Sequence, residues 1–166
     1  MLHKKIEAAL NKQINQEIAG AYDYLAMAAY FERISLSGFS SWMLHQRAEE
    51  LEHAMKLFHY IVDRRGRVEL QAVSKPQTDY DSVKAVFERA LELEKQNTEA
   101  INELYSLAVQ LNDYATQSHL QWFLDEQVEE EKSMDEVISL LEMAGDDKAA
   151  LFALNRQLAE RTAASG

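Results

Sequence analysis

The sequence predicts an all-α protein: a bundle of four long helices with a long crossover between the second and third, followed by a short fifth helix. Three observations lead there. Ala, Leu, Glu, Lys and Gln abound, while the chain holds one proline and five glycines, too few for a turn-rich β fold. Apolar residues recur at alternating steps of three and four along four long segments. The breaks between those segments are short except for one. At 166 residues and 47% hydrophobic content, the chain is expected to form one domain over 1–166 with a substantial core.

The first helix is expected near 4–34, with an inward stripe of Leu10, Ile14, Glu17, Ala21, Tyr24, Ala28 and Phe31. SLSG (35–38) ends it, and the second helix follows near 39–66 with Met43, Glu50, Leu57 and Ile61 inward. RVELQAVSKPQTDYD (67–81) holds the only proline and is too long for a tight antiparallel turn. Extended at ~3.3 Å per residue, it can run the length of the bundle and join two helical hairpins. The third helix, near 82–111, turns Val83, Phe87, Ala90, Glu94, Asn97, Ile101, Leu104, Ala108 and Leu111 inward. After NDYAT (112–116), the fourth, near 116–143, carries Leu120, Phe123, Gln127, Glu130, Met134, Val137 and Leu141. In AGDD (144–147), Gly145 suits a helix C-cap and Asp146 the next N-cap. The fifth helix, near 147–160, has Leu151, Leu154 and Leu158 at helical spacing and reads as a lid on the open end of the bundle.

Composition excludes several functions. A net charge of −11 opposes binding to a phosphate backbone or an anionic lipid surface, and favours cations. With no cysteine there is no disulfide, zinc ribbon, thiolate iron site or cysteine nucleophile. The N-terminal stretch MLHKKIEAALNKQINQE has no apolar secretory core, and no run reaches the ~18 apolar residues of a membrane span. A cytoplasmic protein that binds neither nucleic acid nor membrane is expected.

The chemistry lies where the apolar seams are interrupted. Glu17 to Glu94, Glu50 to Gln127 and His53 to Glu130 are each separated by 77 residues, so the two hairpins read as pseudo-repeats with polar groups at matching depth. Two-fold-related packing would gather Glu17, Glu50, His53, Glu94, Gln127 and Glu130 at the centre. An ionised carboxylate on a buried face costs several kcal/mol unless compensated. Clustered carboxylates either share protons or surround cations. One imidazole with four carboxylates suits iron or manganese and adapts to zinc. Glutamates on facing helices can bridge two ions, and E-x-x-H sets two ligands one turn apart, so a dinuclear centre is the economical reading. A metal-free helical assembly with rim glutamates is the plain alternative. His3, His45, His59 and His119 lack such company and read as surface or packing residues.

Glu17 with Tyr24 seven residues on, EELEH at 49–53, Glu94, and QWFLDEQVEEE at 121–131 together resemble the bacterial non-haem ferritins over essentially the whole chain. The resemblance implies a ferritin-like four-helix bundle and a cage of 24 chains. It implies a ferroxidase that oxidises Fe²⁺ with O2 or H2O2 and stores Fe³⁺ as a mineral. Carried over, Glu17, Glu50 and His53 would hold the first iron. Glu50 would bridge to a second held by Glu94 and Glu130, with Gln127 as a hydrogen-bonding or weak ligand. A third site would match Glu49, Glu126, Glu129 and Glu130. Tyr24 matches a tyrosine that hydrogen-bonds at the centre and can lend an electron, and Trp122 matches an aromatic of similar role. Core packing is the alternative for both.

The departures are informative. Bacterioferritins look related but carry a second E-x-x-H, where this chain has Gln127-Val128-Glu129-Glu130, and their haem-binding methionine is replaced here by Leu51. No haem is expected. Animal ferritins line their three-fold channels with acidic residues, whereas TQSHLQW here has none, which leaves the iron entry route open. The fifth helix would line four-fold contacts of the cage. A discrete di-iron oxidase or peroxidase, or a miniferritin-like iron-detoxification protein, is the alternative function.

Overall fold

The computed structural model describes residues 2–164, and among these the only regular elements are five helices. They are α1 (Lys4–Arg33), α2 (Ser37–Asp63), α3 (Val83–Gln110), α4 (Tyr114–Ala144) and α5 (Lys148–Ala164). The first four agree with the sequence expectation to within three residues, and α5 runs four residues beyond its expected end.

Backbone hydrogen bonds fix the helix ends. After α1, α2 and α3 the chain turns through Ser35, Arg65 and Asn112 at φ of 61°, 59° and 53°. Each turn closes a six-residue bond, such as Gly66 N to Ile61 O at 2.8 Å. This closure ends α2 at Asp63, three residues before the expected end. Gly145 caps α4 at φ 54°, as its position in the sequence indicated. The N-cap expected at Asp146 belongs instead to Asp147, whose Oδ1 accepts from Ala149 N at 2.9 Å. Helix α5 therefore starts one residue later, at Lys148.

Helix α1 packs on α2 and α3 on α4, the two hairpins meet through α1 and α3, and α5 lies across α2 and α4. The crossover is extended along α1, held by side chains one turn apart on a single helix face. Glu7 Oε2 accepts from Arg67 N at 3.0 Å, Asn11 Oδ1 from Glu69 N at 2.7 Å, and Asn15 Oδ1 from Gln71 N at 2.8 Å. Arg33 pairs with Asp79 at 2.7 Å at the far end of α1. These bonds satisfy crossover amides that lie outside any helix or sheet. The amphipathic α5 buries Leu154 and Leu158 in the core.

The core has two apolar clusters. One, rich in aromatics, contains Phe31, Phe39, Trp42 and Phe87, and the other contains Leu10, Ile14, Leu57, Ile101 and Phe123. Between them lies a belt of buried polar residues: Gln13, Glu17, Gln46, Glu50, His53, Glu94, Asn97, Gln127 and Glu130. Each pair of positions 77 residues apart in the sequence is buried in this belt.

Candidate metal centre

The two hairpins present their polar interruptions to one another. Glu17 from α1 with Glu50 and His53 from α2 bring one donor atom each within 4.8 Å of the others. His53 Nδ1 stands 3.8 Å from Glu17 Oε2 and 3.7 Å from Glu50 Oε1. Those separations exceed hydrogen-bond length. Glu50 Oε1 and His53 Nδ1 are accordingly buried without hydrogen-bond partners. A second group, His53 with Glu126 and Glu130 of α4, also brings one donor atom each within 4.8 Å of the others and shares the imidazole.

Glu94 sits within a hydrogen-bonded frame. It accepts from the Tyr24 hydroxyl, and Gln127 Nε2 donates to its Oε2 at 3.2 Å. Asn97 Nδ2 lies 3.3 Å from Glu17 Oε2 and 3.4 Å from Gln127 Oε1, so it ties the two hairpins. Tyr24 is buried at the join between the belt and the aromatic cluster. Trp122 lies at the surface, its ring 5.3 Å edge-on from His53, with Lys56 Nζ 4.3 Å above its centroid.

Glu49, Glu126, Glu129 and Glu130 line a cleft of about 260 Å³ beside the centre. His45 lines it too, with Nε2 3.4 Å from Glu49 Oε1. Treating His45 as a residue without acidic company is therefore incorrect: the turn of α2 from 45 to 49 places imidazole and carboxylate side by side. His3 caps α1 by accepting from Lys5 N at 3.2 Å, and His59 packs edge-on against Phe58. His119 stacks on Tyr60 with ring centroids 4.0 Å apart.

The carboxyls of this cluster are held away from their ordinary protonation behaviour by burial and by one another. Burial, then the charge of Glu17, pushes the Glu50 carboxyl well above its usual range. Burial raises Glu94 also, opposed by its bonds from Tyr24 and Gln127. Burial, then the charge of Glu94, takes Glu130 up to about 8. Burial works against the imidazolium of His53, yet Glu17 and Glu130 carry it above its ordinary value. Carboxyls raised in this way either carry protons or require positive charge beside them.

Three residues of the belt were given no role by the sequence reading. Gln13 Nε2 donates to Glu17 Oε1 at 2.7 Å and to Asn97 Oδ1 at 2.6 Å. Gln46 Nε2 donates to Glu130 Oε2 at 2.7 Å. The third, Asn97, was placed on the seam without a function. A signal was present, since a glutamine stands four residues before both Glu17 and Glu50. Gly20 is the other omission, because a β-carbon there would lie 2.8 Å from Glu50 Oε2.

Residues 7–144 match the model of the ferritin-like domain family. The chain is 42% identical over 162 residues to the bacterial non-heme ferritin of Staphylococcus aureus strain USA300, covering 98% of each chain. It is 40% identical to that of Staphylococcus epidermidis, again over 98% of each chain. Among solved structures it superposes on a closed form of Archaeoglobus fulgidus ferritin engineered by site-directed mutagenesis. The TM-score is 0.95 at 47% identity, covering 96% of this chain and 97% of the other. The open-pore ferritin of the same archaeon matches with a TM-score of 0.94 and 47% identity, covering 96% and 98%.

Proposed function

Because the chain belongs to the ferritin-like domain family, we propose that it stores iron and is a ferroxidase. The observation that carries this reading is the buried Glu17–Glu50–His53 group, two of whose donor atoms face one another without hydrogen-bond partners. Fe²⁺ is the substrate. One ion binds at Glu17, Glu50 and His53, and a second at Glu94 and Glu130, with Glu50 as the bridge and Gln127 holding Glu94 in place. Glu49, Glu126, Glu129 and Glu130 form a third site in the adjoining cleft.

The two bound ions give one electron each to the oxidant. Dioxygen accepts the pair with two protons and leaves as hydrogen peroxide, or hydrogen peroxide accepts the pair with two protons and leaves as two waters. Paired delivery favours two-electron reduction over release of one-electron radicals. Protons on the raised carboxyls of Glu50 and Glu130 are displaced when cations arrive. The Tyr24 hydroxyl, donating to Glu94, fixes that carboxylate. Fe³⁺ then passes to an interior cavity of a homo-oligomeric cage of 24 chains, acting in the cytoplasm without haem.

The test is aerobic Fe²⁺ loading followed by size exclusion, counting the iron that co-elutes. A particle near 24 chains retaining iron far beyond three ions per chain is expected. Saturation at two or three ions per chain would instead indicate a discrete di-iron enzyme.

A further inference from the structure

The polar belt is not sealed on the side where the two hairpins meet. A cleft of about 390 Å³ runs between α1 and α3 and reaches inward to Glu50 and Glu94. Its inner end is open because residue 20 is glycine, and Glu50 Oε2 lies only 2.8 Å from the place of the missing β-carbon. Glu50 itself is 3% exposed, and its other oxygen, Oε1, is buried without a hydrogen-bond partner. The cleft walls carry Asp23, Glu99 and Glu103 against a single lysine, Lys12. The negative charge therefore runs from the surface to the carboxylates at the floor.

Resting on the proposed ferroxidase reading, we infer that Fe²⁺ reaches the centre through this α1–α3 cleft, within one subunit, and that Glu50 is the first ligand of the centre it meets. A cleft whose walls carry one sign of charge concentrates counter-ions and raises their rate of arrival. The Glu50 carboxylate at its floor, with Oε2 on the Gly20 side, is an acceptor that a divalent cation satisfies. Small side chains keep the passage open: Ala19 and Ala100 face it from opposite helices, beside Gly20. Glu99 and Glu103 are exposed and collect the ion, Asp23 is half-buried, the floor is buried and dehydrates the ion, and dehydration is compensated only where Glu50 and Glu94 stand together.

The experiment follows Co²⁺ entry into the assembled protein anaerobically by stopped-flow absorbance, so that access is read without oxidation. Glu99→Lys/Glu103→Lys is expected to slow entry about tenfold at low ionic strength, with the deficit shrinking as salt is added. The number of Co²⁺ bound per chain at equilibrium should not change. Ala100→Phe, which fills the passage without altering charge, should slow entry at every salt concentration. Glu32→Lys/Glu160→Lys, placed on other surfaces, controls for net charge. Wild-type entry rates in both cleft variants would overturn the route, as would equal slowing in the control. Failure of the wild-type protein to oxidise Fe²⁺ would remove the proposed function. Co²⁺ rates that ignore the cleft would remove only the entrance.

Discussion

Gly20 of α1 and Glu50 of α2 approach so closely that a β-carbon on the glycine would stand 2.8 Å from Glu50 Oε2. The contact makes an interior helix glycine a condition of where the central carboxylate rests. Gly20→Ala pushes the flexible end of Glu50 aside. It also removes the usual glycine penalty of roughly 0.5–1 kcal/mol in a helix. The expected outcome is a melting temperature equal to or above wild type with Fe²⁺ oxidation slowed by about tenfold. Calorimetry and initial oxidation rates on the same sample check it, and a variant that is both less stable and fully active would contradict the account.

Glu50→Ala removes the central carboxylate but should leave the fold intact. The acid is buried with an unpartnered oxygen beside Glu17, so its loss relieves repulsion in the metal-free protein. Oxidation of the first two Fe²⁺ per chain is expected to become much slower, while metal-free stability stays level or rises. Stopped-flow oxidation and urea denaturation in the presence of a chelator measure the two effects. Unchanged initial oxidation kinetics would refute the assignment.

Without metal, stability should fall as the solution becomes more alkaline. Burial raises the Glu130 carboxyl from the ordinary carboxylate range to about 8, and Glu50 and Glu94 move in the same direction. A group held protonated by the fold stabilises it fully below the unfolded pKa, and the benefit is lost as the pH climbs through the folded one. Urea midpoints measured between pH 5 and pH 8 with chelator present should therefore decline, less steeply in Glu130→Gln. Added divalent metal should flatten the profile. A metal-free midpoint that rises over this range would contradict the reading.

Gln46→Leu tests whether the carboxylates depend on the amides behind them. Gln46 Nε2 donates to Glu130 Oε2 at 2.7 Å, and its loss leaves a buried acceptor without that partner. Partners of this kind are worth roughly 10–100-fold in metal affinity. Anaerobic titration with Co²⁺ should show weakened binding at the sites that Glu130 serves and wild-type strength at the site of Glu17. Two unchanged affinities would reduce Gln46 to packing.

One attachment of the last helix has a cost that can be measured. Asn155 Oδ1 accepts from Gly38 N at 2.8 Å and Phe39 N at 3.1 Å, supplying the cap that Leu36 lacks. Asn155→Ala should lower stability by about 1 kcal/mol. Gly38→Ala would set a β-carbon 1.7 Å from the Asn155 carbonyl oxygen and must displace α5. Differential scanning calorimetry of both variants should rank Gly38→Ala as the more damaging.

Periodicity and interval carried far in this chain. Helix period placed the elements, because a stripe of apolar side chains at steps of three and four is what one buried helix face requires. The 77-residue spacing put Glu17 level with Glu94 and His53 level with Glu130, because two hairpins repeated in sequence bury corresponding residues at corresponding depth. Charged residues within those stripes marked the site, since charge at a buried position demands a compensating partner.

What only the tertiary structure decided concerns groups that meet across helices. Gln13 and Gln46 look like ordinary helix formers, and their roles depend on Asn97 and Glu130, each 84 residues away. His45 gains its acidic cleft only when α4 brings Glu126 and Glu129 beside α2. Gly20 and Gly38 both lie within helices, yet one makes room for a carboxylate and the other for the backbone of α5. Sequence period fixes which face of a helix is buried. Which atoms touch on that face depends on how the helices pack and on the empty space between them.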